Sequence, residues 1–541
     1  MVPIIRTCSL IALAASLVAA PASAQDSLTS YVNARAAAAM GDYDRSAQLF
    51  SRAAAQDSAI AGQAMSAALR AGRFDLARKI AAASNSAALN MDGRLFLLAD
   101  TLRAGRYDDA LRQMSDDSAT ANIDFVVPFV RAWIDMKSSS ADRRADAIRR
   151  VTGIGSDAPM SSYVGVQAAY LHITNKDIAA ARPLIDAALE GAGGRQAGMR
   201  LGFADALAKA GDRKAALELL AGDDAILVDA RKVLKKKRSL GLAVDDPATA
   251  LSDLLLALAV DVNRGSNRDL PIALSQISRA AYPASGEAAI IAGLLLAADE
   301  QPDEALALFG SVSDKHPLGP QARDGEIQAL IAAERFDQAL TVAKANGSGP
   351  GSSARIGDVY AAMDRHDEAA NAYGRERAGR LDDWTLLFLE GTQRHMAGNW
   401  ADAEVLLRHA LAAQPDQPIL LNYLGYSMLE EGGDTAEASS LIEAAHKLQP
   451  DNASITDSLG WAQFKLGQYD LAVETLRKAA QGAVDNDIIH EHLGDALWKV
   501  QNPIEARFAW QTALTLTEEQ DVRERLEAKI AWGLTPATTA P

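Results

Sequence analysis

The chain of 541 residues contains one cysteine, Cys8. Past that residue it offers no disulfide, no thiol nucleophile and no thiolate metal ligand. Aromatic residues are scarce at 5%, while the hydrophobic fraction is an ordinary 49%, much of it alanine. Sandwiches and barrels draw on β-branched and aromatic side chains, so this balance favours closely packed helices. Long apolar runs are missing too. The longest internal ones, 251–260 and 288–298, are about half of the roughly 18 residues that a bilayer span needs. No transmembrane span is expected. Positive charge is also short: 54 Lys and Arg face 70 Asp and Glu, a formal net charge of −16. Such a chain is ill suited to neutralising phosphates, so no nucleic-acid partner is expected. Partners with basic or apolar patches suit it better.

Residues 1–24 have the three parts of a secretory leader. Arg6 gives the positive start, 8–20 is an apolar stretch, and Ala22, Ser23 and Ala24 form a small-residue cleavage site before Gln25. A lipoprotein would need cysteine where Gln25 stands. The expectation is a free protein of a bacterial periplasm; secretion, or peripheral association with an outer membrane, is the alternative.

Self-similarity dominates the rest. An alanine near the start of every second helix recurs at Ala305, Ala339, Ala369, Ala403, Ala438, Ala472 and Ala506, at intervals of 34, 30, 34, 35, 34 and 34. A glycine keeps the same beat at Gly357, Gly391, Gly425, Gly460 and Gly494. Four units add a small residue seven further on, at Ala410, Ala445, Ala479 and Ala513. Pro415 and Pro450 stop two second helices, because proline lacks the N–H and clashes with the preceding turn. This pattern is similar to the tetratricopeptide repeat, two antiparallel helices per unit. It predicts an all-α superhelical solenoid of about 12–15 helix-turn-helix units. The glycine is expected on the first helix where the second crosses it, facing Ala472 and its equivalents. Turns at Gly41, Gly72, Gly105 and Gly211 mark looser units upstream. The expected organisation is a divergent repeat block over 25–220, an irregular helical connector over 221–272, a regular block over 273–517, and a C-terminal helix with a disordered tail over 518–541. The connector carries a basic run, 231–238, read as a solvated helix face or as a contact for an acidic partner or lipid head groups.

Catalytic motifs fail on inspection. His490, Glu491 and His492 lack the second histidine at i+4 that a zinc-protease helix requires, since Gly494 stands there. The glycine-rich stretches 191–195 and 347–353 lack the lysine of a phosphate loop and the spacing of a nucleophile elbow. No catalytic residue, no metal and no cofactor are expected, and the chain reads as a non-enzyme.

The first helices offer a concave face. Counting the glycine as position eight, positions 2, 5, 9, 12 and 13 point inward. They select Phe388, Thr392 and His395, then Asn422 and Tyr426, then Asp457, Trp461, Phe464 and Lys465, then Glu491, Asp495, Trp498 and Lys499. Amides, charges and aromatics of this kind suit an extended peptide. The carboxylates would favour a basic or amine-bearing one. A slip of one position would instead place Trp461 and Trp498 in the packing between repeats. Trp400 and Trp510 read as structural.

Three segments are more specific than a generic repeat: Leu421-Asn-Tyr-Leu-Gly-Tyr426, Ile455-Thr-Asp-Ser-Leu-Gly-Trp461 and Glu491-His-Leu-Gly-Asp-Ala-Leu-Trp498. They resemble a family of large envelope repeat proteins of Gram-negative bacteria. One branch is an outer-membrane lipoprotein adaptor that binds a carboxyl-terminal processing protease and delivers cell-wall hydrolases to it. The resemblance covers about 380–515. It implies a non-catalytic adaptor for such a protease and its cell-wall substrates, without the lipid anchor. A scaffold for outer-membrane, polysaccharide or cell-wall assembly is the alternative.

Overall fold

The structure, a computed structural model, describes residues 22–84, 88–115, 123–158, 160–222, 224–265, 267–345 and 351–535. The leader expected at 1–24 lies outside these residues through position 21, and the first helix begins at Ala22. The end of the expected tail, 536–541, also lies outside them. Among the described residues every regular element is a helix and none is a strand, as an all-α repeat solenoid requires. One compact unit ends at Arg335 and another begins at Phe336.

In the first unit, six antiparallel hairpins run from Ala22–Ala39 with Tyr43–Gln56 to Gln196–Ala210 with Arg213–Leu219. A lone helix, Ala225–Lys235, follows. Then come the pair Pro247–Asp261 and Asp269–Ala281, the hairpin Gly286–Ala298 with Pro302–Ser311, and the helix Gly319–Ala332. Leu251, Leu254, Leu255, Leu256 and Ala259 of Pro247–Asp261 are buried, together with Thr249 and Ser252. Asp246 caps this helix, accepting from the amides of Ala248 and Thr249, while the Thr249 hydroxyl takes the Asp246 amide. A helix apolar on all sides belongs inside a protein. This one packs on the first helices Met91–Arg103, Val127–Asp135 and Ser161–Thr174, and its partner packs on Ala61–Arg70 and Met91–Arg103. The stretch read as a connector is therefore partly core, and the boundary expected at 272/273 falls inside a helix.

The unit from Phe336 is regular. After Phe336–Ala345 it holds five hairpins: Ser352–Ala362 with His366–Arg377, Trp384–Met396 with Trp400–Ala413, Pro418–Glu430 with Thr435–Leu448, Ala453–Lys465 with Tyr469–Gly482, and Asp487–Lys499 with Pro503–Leu516. Gln520–Trp532 ends it. The beat of glycines has a physical cause. A Cβ at Gly357 would lie 2.7 Å from the Tyr373 ring, at Gly391 3.0 Å from Leu407, at Gly425 2.8 Å from Ile442 and at Gly460 2.6 Å from Leu476. At Gly494 it would strike the Trp510 indole. Each second helix thus lays a large side chain over the preceding glycine, sixteen or seventeen residues on. The facing residue at Gly460 is Leu476, one turn beyond the expected Ala472. Ala472 is fully buried as part of the same contact.

Candidate functional site

Positions five and nine are one turn apart, so they share a face of each first helix. In the second unit they form two ladders. Position five runs Phe388, Asn422, Asp457, Glu491; position nine runs Thr392, Tyr426, Trp461, Asp495. Helix caps fix their register. Asp383 accepts from the amides of Thr385 and Leu386, Asn452 from Ser454 and Ile455, and Asn486 from Ile489.

The lower half of the ladders is filled by the chain itself. Trp461 is fully buried. Its ring stacks on Phe464 at 4.7 Å and on His492 of the next unit at 4.1 Å, nearly parallel to both. Its indole N–H donates to Glu430 at 2.8 Å. Lys465 lies 4.9 Å over the ring. The reading of Trp461 as a ligand contact is therefore corrected: it packs between repeats, because the next unit supplies the ring that covers it.

The carboxylates are filled as well, which corrects the expectation of a basic ligand there. Asp457 is 6% exposed, Glu491 3% and Asp495 0%. Asp457 receives the imidazole N–H of His492 at 3.0 Å. Glu491 is forked by Arg525 at 2.8 and 2.9 Å and bonded by Lys529 at 2.7 Å. Asp495 accepts from Lys529 at 2.8 Å and from the Trp510 indole at 2.8 Å. Arg525 and Lys529 stand 34 residues after Glu491 and Asp495, at positions five and nine of the closing helix, with Ala528 in the glycine's place. The cations that answer these acids therefore come from Gln520–Trp532 and not from a partner. The outward side of that helix exposes Asp521, Glu524 and Glu527, the polar face that ends a solenoid in water.

Burial pushes the Asp495 carboxyl up despite its lysine. Burial would also raise Glu491, but Arg525 and Lys529 outweigh it and hold Glu491 down to about 2. For His492 burial disfavours the charged ring, yet Asp457, with Asp495 and Glu491 behind it, raises its pKa above the ordinary value.

Trp498 is half-buried between Trp510, at 5.5 Å, and the Arg507 guanidinium, 5.0 Å from its centroid. Gly533, at φ +79°, lies on the ring so closely that only glycine fits. Trp461 and Trp498 are thus not brought together as two ligand contacts. Trp510 is fully buried, and Trp400 packs 5.1 Å from His395.

The upper half of the ladders is only partly covered, with Phe388 and Tyr426 packed against neighbouring core residues. Phe388, Thr392, His395, Asn422 and Tyr426 are all half-buried. Phe388 meets Tyr423 edge-on at 5.4 Å. His395 bonds the Tyr423 hydroxyl at 3.0 Å and Glu431 at 3.2 Å. The Asn422 side-chain carbonyl is shielded from solvent and takes no hydrogen bond. Burial, with Glu430, Asp457 and Glu491 nearby, pushes the Tyr426 phenol well up, so it stays a neutral donor. Lys465 is exposed beside this face. His490, half-buried, bonds the Val484 carbonyl, while His492 turns inward. Among the described residues no group of three or more His, Cys, Asp or Glu is placed to hold a metal ion, and no helix is long and apolar enough to cross a membrane.

Residues 429–488 and 458–521 match the tetratricopeptide repeat family. The chain carries repeats of that type there, an architecture of protein-binding scaffolds. No curated protein sequence is significantly similar to this chain. Among solved structures, the tetratricopeptide repeat protein TTC0263 of Thermus thermophilus is 20% identical, covering 34% of this chain and 100% of its own, with a TM-score of 0.31. A tetratricopeptide repeat protein from Parabacteroides merdae is 12% identical over 44% of this chain and 96% of its own, at 0.36. MamA from Desulfovibrio magneticus RS-1 is 19% identical over 32% and 98%, at 0.29.

Proposed function

We propose that this protein is a non-catalytic adaptor of a bacterial periplasm that holds an extended segment of another protein on the first-helix faces of Trp384–Met396 and Pro418–Glu430. The observation that carries this reading is Asn422. Its carbonyl is a shielded acceptor without a donor, at the position whose equivalents in the next two units, Asp457 and Glu491, are satisfied by the chain. A turn of the Asn422 side chain would offer this carbonyl to a peptide backbone N–H, and Phe388 and Tyr426 on either side offer it aromatic walls. The favoured partner is a carboxyl-terminal processing protease with its cell-wall hydrolase substrates, supported by the resemblance of 380–515 to the envelope adaptor family. Export is supported by the leader-like composition of 1–24.

The test is photo-crosslinking in cells from a reactive residue at Tyr426, followed by mass spectrometry. A processing protease or a hydrolase at that position is the expected product. Envelope-assembly proteins in its place would favour the scaffold alternative. Replacing Asn422 and Tyr426 together with Ala should weaken capture by tenfold or more, about 2 kcal/mol for one hot spot, with the helical signal unchanged.

A further inference from the structure

A second surface lies in the unit ending at Arg335. Lys235, Lys236, Lys237 and Arg238 follow one another at the end of Ala225–Lys235, and all four are exposed. They stand together in a chain with 16 more carboxylates than cations. Every described carboxylate from 224 to 246 is engaged elsewhere. Asp224 caps the helix, accepting from the amides of Ile226 and Leu227. Asp229 pairs with Lys232 at 2.7 Å. Asp245 pairs with Lys209 at 2.5 Å. Asp246 caps the next helix.

The backbone that presents these cations is held from both sides. The Lys237 and Arg238 amides donate back to Leu234 and Val233, with Lys237 at φ +58° closing the helix. Beyond them Asp205, 1% exposed, accepts from the Ser239 hydroxyl and from the amides of Leu240, Leu242 and Ala243 at 2.8–3.1 Å. Tyr282 donates its hydroxyl to the Gly241 carbonyl at 2.8 Å. A buried carboxylate spends its whole accepting capacity on the segment that follows, so the backbone of the basic turn is held before any partner arrives and little backbone entropy remains to be lost on binding.

We propose that this turn is a docking point for an acidic segment of a partner protein, separate from the groove of the second unit. An acidic segment is favoured over a bilayer or a nucleic acid because of the field around the turn. Charges beyond about 8 Å are largely screened at physiological salt. A short acidic stretch can stay over the four cations, with Asp205 beneath Ser239 already taken up by its hydrogen bonds. An extended anionic plane or rod meets the acidic remainder of the chain as well.

The experiment uses the full chain and a fluorescent oligoglutamate peptide, read by anisotropy. The unaltered chain should bind, and the interaction should vanish near 1 M salt, where the screening length is about 3 Å. A chain with Lys235→Gln, Lys236→Gln, Lys237→Gln and Arg238→Gln should bind at least about tenfold more weakly, the combined effect of four exposed pairs. A double variant, Lys235→Gln with Arg238→Gln, leaves the capping Lys236 and the left-handed Lys237 unchanged and should lose an intermediate amount. No binding by the unaltered chain, or equal binding by the quadruple variant, overturns the proposal. So does charge-dependent binding to phosphatidylglycerol vesicles without binding to the peptide, which would make the surface lipid-facing. The groove variant Asn422→Ala with Tyr426→Ala should bind oligoglutamate normally, so failure of the groove reading and of this one are told apart.

Discussion

The two units treat the same helix face in opposite ways. In the unit ending at Arg335, first helices from Ala61–Arg70 to Ser161–Thr174 are covered by the chain's own pair, Pro247–Asp261 and Asp269–Ala281. In the unit from Phe336, that face is closed at one end by Gln520–Trp532 and only partly covered around Phe388, Asn422 and Tyr426. Both closures are secured by buried charge. Arg195, inside the first unit, bonds Asp253 of the inserted pair at 2.8 Å and Glu287 at 2.9 Å. Gln167 adds a bond to Asp253, and the Trp133 indole one to Gln167. Lys529 does the same work for Glu491 and Asp495. A repeat pattern therefore states that a face exists; what the chain lays on that face decides whether a partner can use it.

The largest effect expected is from Trp461→Ala. Emptying a fully buried indole site costs about 3–5 kcal/mol, so urea unfolding of the second unit should shift to much lower denaturant. A surface tryptophan would barely move it. Next come the two cations that lock the closures. Removing one partner of a buried pair costs about 3–5 kcal/mol. Arg195→Leu should speed hydrogen exchange across 161–298 and leave 418–532 protected, whereas Lys529→Met should do the reverse. If either variant loosened both units equally, the separation at 335/336 would be wrong. Gly460→Leu ranks third. It drives a side chain into Leu476 and should cost about 1–3 kcal/mol, with exchange rising first in 453–516.

Much of this was legible in the residues. The 34-residue beat located the hairpins of the second unit, and the glycines marked the close crossings. The periodicity points one turn short of the true partner at each crossing, because Ala472 and its equivalents are constant while Leu476 and its equivalents vary among Tyr, Leu, Ile and Trp. The alternative for Trp461 was countable as a one-position slip, but deciding it needed His492 of the next unit. Arg525 and Lys529 stood 34 residues after Glu491 and Asp495 in plain view. The closing helix carries Ala528 where the glycine that signals a repeat would stand, so the beat does not reach them. The inserted pair announced itself only as an apolar helix without a polar face. Its side-chain bonds to Arg195, Gln167 and Tyr163 span 58, 86 and 98 residues, beyond any local pattern, and Arg195 ends a glycine-rich stretch that matches no motif.

The smallest effect sharpens the contrast by pH. His492 faces Asp457, the Trp461 ring, and Glu491 and Asp495 with their cations Arg525 and Lys529. Its folded pKa is raised above the unfolded value of about 6.5. A base with a raised folded pKa binds its proton more tightly in the native state. Its contribution is complete below about pH 6.5 and is lost as pH climbs through the folded value. The raised Asp495 carboxyl acts with the same sign at lower pH. Glu491, held at about 2, acts oppositely, and its contribution disappears only as pH falls from about 4.5 toward 2. The second unit should therefore lose stability as pH rises above about 6.5, seen as a falling urea midpoint. His492→Gln, which keeps a donor for Asp457 but cannot titrate, should flatten that slope while lowering stability at pH 6. Among the described residues no histidine bonds into the buried network of Arg195, Asp253 and Glu287, so the same variant should leave the first unit's exchange unchanged across that range. An identical slope in the variant would show that His492 is neutral in the folded chain.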